Sequence, residues 1–220
     1  MNPTDTLNEI AAQVRRCENC QLHFSRKLAV PGEGPSTAEL MFIGEGPGFH
    51  ENEQGRPFVG QAGKFLDELL EVAGFRRQQV FIANVVKCRP PGNRDPLPEE
   101  LAACSSYLDR QIEAINPSVI VTLGRFSMAK YLPSARISDV HGKTFWVHER
   151  LIVPMFHPAA ALHQPSLKNS VIQDFKKLPD AIQAAKTARA KMIASMKQTS
   201  SEEPGAESKT EDAPEQLSLF

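Results

Sequence analysis

The chain has 220 residues, 41% of them hydrophobic, enough for one domain of ordinary size with a sizeable core. Nothing in it resembles a signal peptide and no apolar run is long enough to cross a bilayer, so the expected compartment is the cytoplasm. The formal charge of −1 hides an asymmetry, because residues 198–220 carry six acids against one lysine and leave residues 1–197 at +4. A mildly basic body of this kind suits a polyanionic partner.

In chain order, residues 8–15 place Ile10, Ala11 and Val14 on one side and predict a short helix, which leads into Cys17-Glu18-Asn19-Cys20. Residues 21–39 read as irregular. Leu40-Met41-Phe42-Ile43 reads as a buried strand of a parallel sheet. Residues 44–58, GEGPGFHENEQGRPF, open with three glycines and a proline in five positions, where no regular structure can continue. A glycine-rich bend at the carboxyl end of a strand is where open α/β sheets bind ligands. Residues 61–73 predict a helix with Phe65, Leu66, Leu69, Leu70 and Ala73 on one face and Gly74 just past its end. Residues 80–86, VFIANVV, form a second strand interrupted by the polar Asn84, and residues 87–98 a loop with four prolines and three basic residues. A helix over 99–115 carries Cys104. Residues 118–123 form a third, β-branched strand ending at Gly124, with a short helix to Tyr131. Residues 144–148 and 151–155 read as a strand pair around Glu149-Arg150, and one last helix runs from about 166 to near 197. Strands alternating with helices predict a three-layer αβα domain, and the sequence holds no internal repeat.

The four cysteines are Cys17, Cys20, Cys88 and Cys104. A disulfide framework does not suit a cytosolic chain of this size. The C-x-x-C pair lies on a non-helical segment, so both thiols can face one centre, which leaves zinc and an iron–sulfur cluster. Structural zinc sites usually use two close pairs. Here the second half is a loop cysteine and a helical one with fifteen residues between them, which favours the larger cluster held by four thiolates. Such a centre would staple the N-terminal segment onto the loop after the second strand and fix the basic Lys87, Arg89 and Arg94.

Four features accumulate in order: GEGPG followed by GRPFVGQAG, NVVKCRPPGNRDP, the four-cysteine arrangement, and HPAAAL after an apolar strand. Together, over about residues 17–178, the chain resembles the family 4 uracil-DNA glycosylases. That resemblance implies a [4Fe-4S] cluster on Cys17, Cys20, Cys88 and Cys104, and a central four-stranded parallel sheet with a base pocket at the strand carboxyl ends. Residues 151–155 are then the last core strand. The resemblance also implies roles. Phe58 matches the aromatic on which the extruded base stacks. Asn84 matches the amide that reads uracil, accepting from N3–H and donating to O4, where cytosine presents the opposite pattern. Its place in an apolar run agrees, since a buried amide without a partner is costly. His157 matches the catalytic histidine, a neutral donor toward uracil O2 that stabilises charge as the bond breaks. Glu45, Gly46 and Pro47 lie where the family contacts uracil. Other glycosylase families have an aspartate at the position of Gly46, so Glu45 is the nearest candidate to position water. Glu51 closes the C5 side against thymine, and Leu162 matches the apolar wedge that replaces the flipped base in the duplex. No lysine falls in a nucleophile motif, which implies base excision without strand cleavage.

Residues 198–215 are rich in Ser, Glu, Pro and Thr and predict disorder. The chain ends Gln216-Leu217-Ser218-Leu219-Phe220, which resembles the short motif by which bacterial repair proteins bind the sliding clamp; the protein is expected to be a monomer. Two alternatives to the glycosylase reading are a non-catalytic Fe–S nucleic-acid-binding module and a relative that traps the abasic sugar covalently.

Overall fold

The computed structural model describes residues 2–199, with side chains as far as Met192 in its last helix. Five strands, β1 (Leu40–Gly44), β2 (Phe81–Asn84), β3 (Val119–Leu123), β4 (Phe145–Val147) and β5 (Arg150–Met155), form one sheet in the order β2-β1-β3-β5-β4. The pairs β1–β2, β1–β3 and β3–β5 are parallel, so the expected four-stranded parallel sheet is present. The short β4 is antiparallel to β5 and adds a fifth, edge strand, joined to it through a turn with positive φ at His148 and Glu149.

Alternation along the strands divides the core. Leu40 and Phe42 of β1, Val119, Val121 and Leu123 of β3, and Leu151, Val153 and Met155 of β5 face one layer. It is filled by α4 (Gln61–Val72), α9 (Lys168–Lys176) and α10 (Leu178–Thr199). Met41, Ile43, Ile120 and Ile152 face the opposite layer, packed by α5 (Pro98–Ile115) and α6 (Arg125–Ala129). A period of two is what a pleated strand imposes, and burial on both faces is why these strands read as unbroken apolar runs. The N-terminal helix α1 (Pro3–Arg16) is capped by the Asn2 side chain, which accepts from the Asp5 N–H. It packs Ile10 and Val14 into a third, smaller cluster that contains Cys88 and Cys104.

Several elements differ from expectation. Residues 21–39 contain a single helical turn, α2 (Leu22–Ser25), and a bridge from Glu33 to Ile82 on the sheet edge. The polar stretch after the GEGPG bend is a short helix, α3 (Phe49–Gln54), closed by Gly55 in the left-handed region. A four-residue helix, α7 (Ile137–Val140), precedes β4, and a six-residue helix, α8 (Pro158–His163), follows His157. The expected continuous helix over 166–197 is broken between α9 and α10 at Lys177, where Pro179 has no N–H to continue the ladder and so starts a new helix. The acidic tail and Gln216-Leu217-Ser218-Leu219-Phe220 lie outside the described residues. Among the described residues, no helix is long and apolar enough to cross a membrane.

Candidate active site

The parallel strands end along one rim. Gly44 is the last residue of β1, Asn84 the last of β2, and His157 follows β5 by two residues. Between them opens a cleft of about 430 Å³, lined by Glu45, Gly46, Pro47, Glu51, Phe58, Asn84 and His157 together with Asn93, Arg94 and His163. Of the expected base-site residues, only Leu162 is outside this wall; it is 43% exposed on α8, next to the lining residues Ala159 and His163.

Asn84 is 2% exposed, and its Oδ1 is buried with no hydrogen-bond partner. Such an atom costs on the order of 1–3 kcal/mol unless something polar meets it. It sits at the end of β2 rather than mid-strand, although the ladder runs on for two more bonds, Val85 N–H to Gly44 O and Val86 N–H to Glu45 O. Gly44 has no alternative residue here: a Cβ would lie 2.5 Å from Asn84 Oδ1 and 2.7 Å from Phe58 Cζ.

Phe58 is buried with φ +51°, a conformation that costs a bulky residue about 1–3 kcal/mol. Three restraints hold it there. Glu51 Oε1 accepts from Val59 N–H (2.9 Å) and Gly60 N–H (3.0 Å). Arg77 donates to Phe58 O (3.0 Å) and Pro57 O (2.5 Å), while ion pairs to Glu33 (2.8 Å) and Asp67 (3.0 Å) fix its guanidinium. Finally, Gly63 lets α4 press against the Phe58 carbonyl, where a Cβ would overlap it.

The His157 ring stacks on Phe58, with centroids 5.5 Å apart and planes at 26°. It also caps α8, with Nδ1 accepting from Ala159 N–H at 3.1 Å. An accepting Nδ1 carries no proton, so the neutral ring holds its proton on Nε2. Burial pushes the pKa down to about 4, against a small opposing pull from Glu51. His157 is therefore a neutral Nε2–H donor at pH 7. Glu45, half-buried, has its carboxyl pushed up by burial and by the Asp95 charge, with Arg125 opposing. A side chain at Gly46 would meet Val86 Cγ2 at 2.8 Å, so the aspartate of other families does not fit without movement.

The proline-rich loop forms the far wall. Glu100, buried at the start of α5, takes Arg94 in a two-point pair (2.6 and 2.9 Å) and caps Leu97 N–H (2.8 Å). Lys87, expected among the fixed basic residues, is 1% exposed. Its Nζ donates to Asn84 O (3.0 Å) and Gln111 Oε1 (2.7 Å), so it braces the loop from inside.

All four cysteines line one narrow void between α1, the loop and α5, together with His23, Arg26 and Tyr107. Donors point at the sulfurs: Asn19 N–H to Cys17 (3.5 Å), Arg26 to Cys88 (3.3 Å) and Lys87 N–H to Cys104 (3.2 Å). Among the described residues, no three Cys, His, Asp or Glu side chains converge tightly enough to hold one ion.

The profile of the Uracil DNA glycosylase superfamily matches residues 31–177. The chain belongs to that family. It is 50% identical over 185 residues to the type-4 uracil-DNA glycosylase of Sulfurisphaera tokodaii, covering 79% of this chain and 84% of that one. It is 48% identical to the type-4 uracil-DNA glycosylase of Saccharolobus solfataricus (81% and 87% covered) and 44% identical to that of Thermotoga maritima (80% and 95% covered). The type-4 glycosylase resemblance read from the motifs is thus the correct one.

Within this uracil-DNA glycosylase chain, two functional contributions escaped the sequence. Arg77 is one, since its partners are scattered from Glu33 to Asp67 and no local pattern marks it. Asn93 is the other; it lines the cleft with φ +55°, and the Asn in PPGN following two prolines was a usable turn signal.

Proposed function

We propose that this chain hydrolyses the N-glycosidic bond of deoxyuridine in DNA, releasing uracil and leaving an abasic site, as a monofunctional enzyme of base-excision repair. The observation that carries the reading is the convergence of Phe58, Asn84 and His157 on one cleft, with Asn84 Oδ1 buried at its wall and unpaired. The family membership and the type-4 relatives support the same substrate.

Extruding the base costs a few kcal/mol. Stacking on Phe58 returns roughly 1–3 kcal/mol, and Leu162 fills the gap left in the duplex. Asn84 accepts from uracil N3–H and donates to O4, which gives its orphaned oxygen the partner it lacks and rejects cytosine. The backbone of Gly46 and Pro47 lies along the ring, and Glu51 stands at the C5 side while it restrains residues 59–60. As the C1′–N1 bond breaks, its electron pair leaves with uracil and charge grows on O2, which receives the His157 Nε2–H. Glu45 orients the water that adds to C1′, and the proton that this water sheds neutralises the departing uracil anion. Purified protein should release uracil from single- and double-stranded DNA and leave alkali-labile sites without cutting the strand. Absence of uracil release from iron-loaded protein would remove the proposal.

Cys17, Cys20, Cys88 and Cys104 are assigned to a [4Fe-4S] cluster rather than zinc. Four thiols around one void, drawn from one close pair and two distant positions, with N–H donors to Cys17 and Cys104, support that choice. Cys17, Cys20, Cys88 and Cys104, holding such a cluster, would tie α1 and α5 to the loop that walls the cleft. Iron and acid-labile sulfide should each approach four per chain. The protein is further assigned to the cytoplasm as a monomer, with Gln216, Leu217, Leu219 and Phe220 docking on a sliding clamp; a pull-down with and without the last five residues tests the docking.

A further inference from the structure

Phe49 opens α3 immediately after the cleft-lining Gly48, yet 55% of it is exposed. Across the cleft mouth, Arg89 precedes the cleft-lining Pro90, and its guanidinium lies over the Phe49 ring, 5.4 Å from the centroid. Arg89 is oriented by its Nε, which donates to Asn93 Oδ1 at 2.7 Å. His50 meets Phe49 edge-on at 5.5 Å and packs where Gly60 offers no side chain, 3.3 Å from the position its Cβ would take. A large aromatic with a cation over it, held from two sides at the rim of a base pocket, has no packing purpose there. It does have the composition of a stacking platform for single-stranded nucleic acid: a flat apolar face for a base and a positive group for the backbone beside it.

We propose that Phe49 and Arg89 form a second base site, which stacks the nucleotide next to the flipped uracil on the same strand and holds the intervening phosphate. The proposal rests on the uracil-excision reading, because it places the strand by the base in the Phe58 pocket. It follows that the enzyme engages two consecutive unstacked bases and therefore favours single-stranded or frayed DNA.

The test uses single-stranded oligonucleotides carrying 2′-fluoro-deoxyuridine, which is not cleaved, with 2-aminopurine on its 5′ or its 3′ side. Binding to the unaltered protein should quench 2-aminopurine on one side through stacking. Phe49→Ala should abolish that quench and weaken binding by about 10-fold, within the range expected for one base–aromatic stack. Phe49→Tyr should retain both, and Arg89→Gln should weaken binding with a shallower salt dependence. Replacing the flanking nucleotide by an abasic spacer should lower the unaltered protein to the affinity of Phe49→Ala and leave that variant unchanged. This spacer comparison needs no folded variant. Equal affinity with and without the flanking base, in protein that releases uracil normally, would overturn the platform; absence of uracil release would instead overturn the function on which it rests.

Discussion

Replacing His157 by alanine and by asparagine separates two jobs done by one imidazole. Nδ1 caps α8 through Ala159 N–H, and the opposite nitrogen presents the donor. Loss of an N-cap acceptor costs typically about 1 kcal/mol, which for a domain of this size lowers the melting temperature by roughly 2–4 °C. Loss of a donor aimed at a developing oxyanion costs about 10²–10³ in rate, or roughly 2.7–4 kcal/mol of transition-state stabilisation. Alanine removes both. Asparagine is among the best N-cap residues, so its Oδ1 can restore the bond to Ala159, but its shorter side chain does not reach as far as Nε2. His157→Ala should therefore lose both melting temperature and single-turnover rate, and His157→Asn should lose rate alone. The assays are thermal melts followed by far-UV dichroism, and single-turnover uracil release on a defined oligonucleotide. Near-full activity in the asparagine variant would refute the donor role. A melting loss equal in both variants would refute the cap.

Other outcomes follow from the same geometry. With its pKa near 4, His157 stays neutral through the physiological range, so kcat/KM should show its acid limb near pH 4 and no inflection near 6.5; an inflection at 6.5 contradicts the buried neutral ring. Because folding disfavours the charged ring, the stability tied to His157 is intact above pH 6.5 and is lost as pH falls from 6.5 toward 4. Asn84→Leu keeps the number and branching of side-chain heavy atoms and removes the unpaired acceptor, so the protein should stay folded with a similar melting temperature while uracil release falls by at least 10²-fold, roughly the worth of two hydrogen bonds and a specificity contact; a large drop in melting temperature would make Asn84 a structural residue. Gly63→Ala should fold with Phe58 displaced, raising KM for uracil DNA, and a normal KM would show that the close approach to the Phe58 carbonyl is dispensable. Arg77→Met should act on the same ring and lower kcat/KM by about tenfold with iron content unchanged, a loss of roughly 1.4 kcal/mol.

The sheet was legible because a strand buried on both faces must be apolar at every position, as Met41, Phe42 and Ile43 are. Asn84 betrayed the site by the same rule, as an amide in a place that admits none. What was illegible depends on distance or on a wrong default. Arg77 acts through partners brought to it by the fold alone, and nothing within a few residues announces them. Nothing in the sequence marks Lys87 as buried, because lysines are almost always solvated, yet its ammonium is enclosed between a carbonyl and an amide. The break at Lys177 was written in Pro179 but hidden by strong helix formers on both sides.

Lys87 carries a consequence for how this protein responds to oxidants. Its main-chain N–H rests on Cys104 Sγ and its ammonium on Asn84 O, so a single residue spans from the thiol chamber to the rim of the cleft. Injury to the sulfurs would reach Asn84 through this strut without passing through the sheet. Exposure to peroxide should then erode discrimination before it erodes the fold.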